Sequence, residues 1–486
     1  MPQNAAFKGV VYLLLAQLLI WGLLPGLLVE SLPLDVVEGA YWGREWQWGY
    51  YKHPPFPAWV LHLFYSTLGD MGPFILSQLC IALTLYCVWR IGCRLLSCEQ
   101  SAFGVLALMG VYYFTWPSME FNHNIAQMPL WAAAVLLFHR AITDWRYGDW
   151  LLLGLVAGLG LLTKYSTLVL LAAMFLWLLW RPELRKELLR PQPWVGVLAM
   201  VLLFLPHLFW LMQHEFLPFS YFEGRSARAV EQGWSAWGAL RFLLVQLIDH
   251  LPLFILLLVA GFWRRSYWQK PDSNAGFILF MGLAPALLTV IGAMITGAGT
   301  RDMWGTPMWN LSGLMLASMI PAEVLRQRQR PLLWAFGGFL LLLTVLMLLF
   351  VGFKDQIRDK PSRTGWPDEA LAQTLSQVWG EHTECPLQLV AGQYWPAELL
   401  ALELPGVSAV PESDLRLAPW ADVRWVAEQG MIEIAEGDRP RWDKTLAELG
   451  DWDAEGQFSV PWPRLPDHEP LTLSWRLWLP HTECVD

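Results

Sequence analysis

Runs of about 17–25 apolar residues recur between residues 10 and 353, each long enough to cross the roughly 30 Å hydrocarbon layer of a bilayer. A chain of this kind must satisfy its own backbone polar groups wherever it meets lipid, which favours a bundle of membrane helices. Eleven spans are expected, near 10–29, 73–92, 101–116, 124–141, 149–163, 165–181, 194–213, 239–263, 275–297, 305–320 and 332–353. The 31 Trp residues suit anchoring at the lipid headgroups. The first run has only Lys8 ahead of it and no clear small-residue cleavage site behind it, so it reads as a retained helix.

Charge divides the chain. Residues 355–486 hold 10 Lys/Arg against 24 Asp/Glu, a balance of −14, whereas the remainder is +5, giving −9 for the whole. This predicts a polytopic membrane domain over 1–354 and an acidic, water-soluble domain over 355–486. With the N-terminus cytoplasmic, the inside loops collect Arg90, Arg94, Arg140, Arg146, the Arg181/Arg185/Lys186/Arg190 cluster, Arg264, Arg265, Lys270, Arg326, Arg328 and Arg330. The outside loops hold far fewer, as the positive-inside rule requires. An odd number of spans then puts the acidic domain outside, in extracytoplasmic space. In that oxidising space Cys385 and Cys484 pair more readily as a disulfide than as zinc ligands, despite the repeated His-Thr-Glu-Cys at 382–385 and 481–484. The domain itself reads as small α/β: helices at 367–379, 395–404 and 441–449, extended pieces at 387–390, 422–427 and 471–479.

The most unusual polar stretch is the first outside loop, 30–72. On a helix Asp35 and Glu38 share one face, and two carboxylates beside a bilayer are costly unless they bind or react. Glu120 and Asn124 fall in the second outside loop, Lys164-Tyr165 at the end of the fifth span, Arg225 and Arg228 after the seventh, and Arg301 before Trp304. All map to one membrane face. Cations there suit an anionic phosphate held at the interface by a lipid tail, and a carboxylate suits removal of a proton from an acceptor hydroxyl. Asp35 and Glu38 are therefore the catalytic candidates, and Lys164, Arg301, Arg225 and Arg228 the phosphate ligands. Tyr41, Lys52, His53, Glu120, Asn124 and Tyr165 are candidate substrate contacts. Other roles compete: Asn124 suits a helix cap, Lys164 a snorkelling side chain, and His53-Pro54-Pro55 a bend where the chain re-enters the membrane.

Asp35 through Pro55, ending Trp48-Gly49-Tyr50-Tyr51-Lys52-His53-Pro54-Pro55, resembles the first periplasmic loop of the bacterial aminoarabinose-transferase and protein O-mannosyltransferase superfamily. The Gly158–Tyr165 run, Pro206/Trp210 and the Trp304…Pro307 segment are similar too. The resemblance implies a mostly α, C-type glycosyltransferase fold of about 11 transmembrane helices, and inverting transfer from a polyprenyl (undecaprenyl) phosphate sugar. The implied acceptor is lipid A or lipopolysaccharide, another glycolipid or a protein. By position Asp35 falls on the family's catalytic aspartate and Lys164 on a basic position near the donor phosphate. Two departures stand out: Val36 follows Asp35 where Glu is usual, and Asn124 replaces a common Asp, which removes a candidate metal ligand. No cofactor is certain: a divalent metal stays open but is not indicated, with Glu120 the only nearby substitute for that Asp, and no nucleic-acid partner is expected. The rival reading is a transporter or flippase for an anionic lipid or lipid-linked sugar; a third is a non-catalytic assembly subunit. The polar clusters lie on one face and no internal repeat is evident, which favours the enzyme.

Overall fold

The computed structural model describes residues 2–221, 236–297, 299–438, 442, 446 and 449–481. Two compact units emerge: 1–24 with 48–57 and 73–345, and 25–47 with 58–72 and 346–486. The division therefore departs from a single cut at residue 354, because most of the first loop belongs with the C-terminal region.

In the first unit the apolar runs are helices. α1 (Pro2–Leu28) runs on into the second unit, where α2 (Leu34–Glu45) and most of α3 (Phe56–Leu68) lie. Next come α4 (Met71–Leu95), α5 (Cys98–Leu108), α6 (His123–Asp144), α7 (Tyr147–Leu161) and α8 (Thr167–Trp180), followed by longer helices over Pro191–Gln213 and Ala275–Thr296. Among the described residues seven helices are long and apolar enough to cross a membrane, or eight if the pair Cys98–Leu108 and Tyr112–Met119, bent by 82°, is one span. α7 and α8 are shorter apolar helices. The expected span at 305–320 is not one helix: only Ser312–Ser318 is α-helical. Its upstream turns are tighter, closed by i→i+3 bonds such as Thr306 N–H to Met303 O at 3.2 Å and Met308 N–H to Gly305 O at 2.9 Å, with side chains adding support. Tyr113 Oη donates to the Asp302 carbonyl at 2.7 Å, and Gln246 Oε1 accepts from the Trp309 indole at 2.8 Å. Irregular backbone at membrane depth needs such internal partners. Elsewhere glycine permits close approach, as where a Cβ on Gly154 would stand 2.0 Å from the Gly196 carbonyl oxygen.

The second unit is an α/β domain joined by the first-loop helices. Its sheet has the order β2-β1-β3-β5-β4, with β1 (Leu389–Gly392), β2 (Ser408–Pro411), β3 (Met431–Glu436), β4 (Ala454–Val460) and β5 (Leu471–Trp478). β2, β1 and β3 are parallel, linked by crossover helices Tyr394–Glu403 and Val423–Gln429; β5 and β4 add antiparallel. The 422–427 stretch, expected to be extended, is helical because Asp422 caps it, accepting from the Trp425 amide at 2.8 Å. The 367–379 and 395–404 helices and the 471–479 strand form at Asp368–Gly380, Tyr394–Glu403 and Leu471–Trp478. Most of 441–449 lies outside the described residues. Cys385 is disulfide-bonded; Cys484, its expected partner, lies outside them too.

Two close fits shape this unit. Arg464 donates to the carbonyls of Leu28, Val351 (3.1 Å) and Gly352 (3.2 Å), joining the ends of two apolar helices to the domain, and its Nε meets Glu30 at 3.3 Å. α2 and α3 meet at Gly43, where a Cβ would sit 2.1 Å from the Ala58 carbonyl oxygen and 2.5 Å from His62 Cβ. Gly43→Ala is therefore expected to force the helices apart, at an overpacking cost of about 1–3 kcal/mol or more. A thermal melt of the detergent-solubilised protein checks this; an unchanged midpoint would mean the pair can yield freely.

Candidate active site

In the first unit, four segments converge. The 48–55 stretch turns on itself, with the Tyr50 amide bonded to the His53 carbonyl at 3.0 Å, and is tied to the end of α7 by Phe56 N–H to Leu162 O at 3.0 Å. α6 begins beside it. Asn122 is its cap, its Oδ1 accepting from the amides of Asn124 (2.9 Å) and Ile125 (3.2 Å). The cap role considered for Asn124 therefore belongs to its neighbour two residues back, and Asn124 is left to accept, through Oδ1, a hydrogen bond from Lys164 Nζ at 2.6 Å. The His53 and His123 rings lie 4.0 Å apart.

Lys164 is held by more than its own hydrogen bond. Gln127, on α6, donates to Ser166 Oγ at 2.9 Å and accepts back from it at 3.1 Å, pinning the tight 162–167 turn between α7 and α8. Tyr165 closes the arrangement. His207 Nδ1 is 2.6 Å from the Trp48 carbonyl, which can only accept, so the proton sits on Nδ1 and Nε2 accepts from Tyr165 Oη at 2.8 Å. The Tyr165 hydroxyl thus orders the 48–55 segment. Lys52 Nζ lies 4.9 Å from the Tyr51 ring centre and 5.7 Å from that of Tyr221, a cation held between two aromatic faces. Glu120 sits just ahead of the Asn122 cap, its carbonyl 3.5 Å from Asn122 Nδ2. Arg301 is exposed and opens the 302–305 turn of the Gln246 network. Arg225 and Arg228 lie outside the described residues.

His207 was not among the residues singled out from the sequence, although it is wholly buried within an apolar helix. The signal was available: a titratable side chain in a membrane span is costly and marks a constrained position.

In the second unit Asp35 and Glu38 lie on α2, in its first turn and the turn that follows. Asp35 is exposed; Glu38 is 7% exposed, and Tyr41 and Trp42 are fully buried. A carboxylate in the first turn and Arg44 in the last both suit the helix dipole. Tyr41 is engaged by the domain: its hydroxyl accepts from the Ala409 amide at 2.6 Å and donates to the Ala409 carbonyl at 3.2 Å. Burial first, then Glu45, hold its phenol well above the usual tyrosine range, so it remains a donor. With both bonding capacities used, Tyr41 is a packing residue, and the substrate contact expected of it is withdrawn.

A separate cleft of about 820 Å³ in this unit is lined by Glu30, Asp70, Asp368, Glu369 and Glu403. Burial, reinforced by Glu403 and Asp70, pushes the Asp368 carboxyl up to about 8, against 3.8 for a free aspartate. Between those values the folded chain keeps a proton that the unfolded chain has released. This group therefore favours folding most below about pH 4 and loses its contribution as pH rises through about 8. Asp368→Asn is expected to flatten the fall in melting temperature between about pH 5 and 8; an unchanged slope would place the titration elsewhere. Among the described residues no group of three or more His, Cys, Asp or Glu is placed to hold a metal ion.

Residues 52–210 match the family model described as dolichyl-phosphate-mannose-protein mannosyltransferase. Among curated proteins, the lipopolysaccharide core galacturonosyltransferase RgtA of Rhizobium johnstonii is 25% identical over 58% of this chain and 58% of its own length. An undecaprenyl phosphate-α-4-amino-4-deoxy-L-arabinose arabinosyl transferase of Pseudomonas fluorescens is 24% identical over 49% of this chain and 44% of its own. The chain thus spans about half the length of the curated relatives it matches. The crystal structure of ArnT from Cupriavidus metallidurans bound to undecaprenyl phosphate superposes with a TM-score of 0.62 at 15% identity, covering 96% of this chain and 98% of that one. The two chains share a fold.

Proposed function

We propose that this chain, which carries a dolichyl-phosphate-mannose-protein mannosyltransferase segment on the C-type glycosyltransferase fold, is an inverting glycosyltransferase of the bacterial inner membrane. It takes a sugar from polyprenyl phosphate and passes it to lipid A, the lipopolysaccharide core or a related glycolipid at the periplasmic face. The observation that carries this reading is Lys164, fixed 2.6 Å from Asn124 in the turn between two apolar helices, where a lipid-borne phosphate would meet it.

The chemistry follows from the residues. The acceptor hydroxyl oxygen attacks the anomeric carbon as the bond from that carbon to the phosphate oxygen breaks. Asp35 takes the hydroxyl proton. The polyprenyl phosphate leaves with its charge matched by Lys164 and Arg301. Low-dielectric surroundings strengthen such pairing. Lys52 and His53 border the sugar. The nature of the relatives supports a lipid acceptor over a protein one.

Mass spectrometry of envelope glycolipids tests the reading, comparing cells with the gene deleted, restored, or restored as Asp35→Asn at matched protein level. A sugar increment that vanishes on deletion and returns only with Asp35 is the expected result, and its mass identifies donor sugar and acceptor. Full restoration by Asp35→Asn would favour transport of a lipid-linked substrate instead.

A further inference from the structure

Four of five consecutive residues on α2 reach one short stretch of the C-terminal domain. Tyr41 bonds to both backbone groups of Ala409. The Trp42 indole donates to Glu398 Oε1 at 3.1 Å, and Glu398 is fully buried. Arg44 donates to the carbonyls of Ala401, at 2.5 Å, and Val407, closing the C-terminal end of the Tyr394–Glu403 helix. Glu45 accepts from Ser408 Oγ at 3.0 Å. On a helical wheel Asp35, Glu38, Tyr41, Trp42 and Glu45 fall within about a third of a turn, with Arg44 reaching the domain from beside that arc, so the docked face overlaps the carboxylate face. Rotation of α2 that broke this contact would re-aim both carboxylates.

We infer that residues 398–409 of the C-terminal domain are a positioning element for the helix carrying Asp35 and Glu38, with Tyr41 and Arg44 as its positioning residues. This rests on the transferase reading above. The domain then serves transfer without touching substrate: it fixes the angle at which Asp35 is presented. A hydrogen-bonded attachment to backbone carbonyls and amides suits that task, because its direction is set by main chain that is itself held in β2 and a helix end.

The test uses the full-length protein in detergent, as wild type, Arg44→Gln, Tyr41→Phe and Ser408→Ala, with the donor and acceptor fixed by the mass increment. Amide exchange is followed over residues 34–45 and, as a reference, over α6 to α8. Arg44→Gln is expected to speed exchange over 34–45 by about tenfold or more with the reference helices unchanged. In the same variant kcat is expected to fall about tenfold or more while KM for the donor stays within about twofold, the signature of lost transition-state positioning. Tyr41→Phe and Ser408→Ala, which remove single groups and leave the fold intact, should show the same pattern at smaller amplitude. Unchanged exchange over 34–45, or faster exchange with undiminished kcat, overturns the inference. A wild type that itself transfers no sugar sinks the transferase reading and this inference with it; wild-type transfer matched by Arg44→Gln sinks this inference alone.

Discussion

Asp35→Asn is expected to lower kcat for sugar transfer by about two to four orders of magnitude with little change in KM, the range by which a positioned general base accelerates a reaction. The substitution keeps size and hydrogen-bonding reach and removes only the capacity to accept a proton. Because Asp35 is exposed in the first turn of α2, the change should leave the fold intact, and melting temperature should stay close to wild type. Lys164→Met makes the informative contrast. Its ammonium is assigned to the phosphate, which is anionic in both donor and leaving group, so its loss should raise KM for the donor as well as lower kcat. The same variant leaves Asn124 Oδ1 without its 2.6 Å donor, so a modest loss of stability should accompany it. Steady-state kinetics on purified protein separate the two patterns. Equal losses in both parameters for both variants would mean that the roles are not divided in this way.

The second large effect belongs to the C-terminal domain. Glu433 and Arg476 are directly opposed across β3 and β5, both almost wholly buried, and joined by an ion pair. Ser413 Oγ donates to the other carboxylate oxygen at 2.6 Å, and the guanidinium lies 4.8 Å from the Trp442 ring and 5.0 Å from those of Trp452 and Trp478. Removing one partner strands a charge in an apolar box. Glu433→Ala is expected to cost about 3–5 kcal/mol, which is about two to four orders of magnitude in the opening equilibrium. Faster amide exchange across β3 and β5 is the measurement. Replacing both members with apolar residues of similar volume should recover much of the loss, since it removes the stranded charge along with the pair. Exchange unaffected by Glu433→Ala would show that solvent already reaches the site.

The membrane class was legible in the sequence, and the first loop stood out from an ordinary connector, because both signals are written locally. Apolar length announces a span, and a cluster of acid, aromatic and Pro residues between spans announces something other than a connector. Lys164 was legible for the same reason. What was hidden lies in pairings. β3 carries a buried Glu433, whose charge reads as solvent-facing in the sequence; Arg476, on a strand 43 residues on, and Ser413 make that burial tolerable. β4 runs polar at the sheet edge and offers little apolar signal. The 422–427 stretch looked extended and is a helix capped by Asp422; Asn124 suited a cap and is a lysine's partner. The 305–320 segment has the composition of a span, but i→i+3 bonds such as Met308 N–H to Gly305 O interrupt the helix, and Tyr113 and Gln246 hold the turn ahead of it through the Asp302 carbonyl.

The attachment of α2 also sets an order of events in synthesis. Its partners in the Tyr394–Glu403 helix and β2 follow it by 356 to 368 residues. At ribosomal speeds of about 5–20 residues per second, α2 emerges some 20–70 s before the surface that holds it exists. Through that interval the helix bearing both carboxylates lacks its anchor, and a chain stalled before residue 398 never acquires one. Emergence of residues 398–409 is then the moment at which α2 gains its anchor, so a chain stalled before them should remain inert toward lipid-linked sugar.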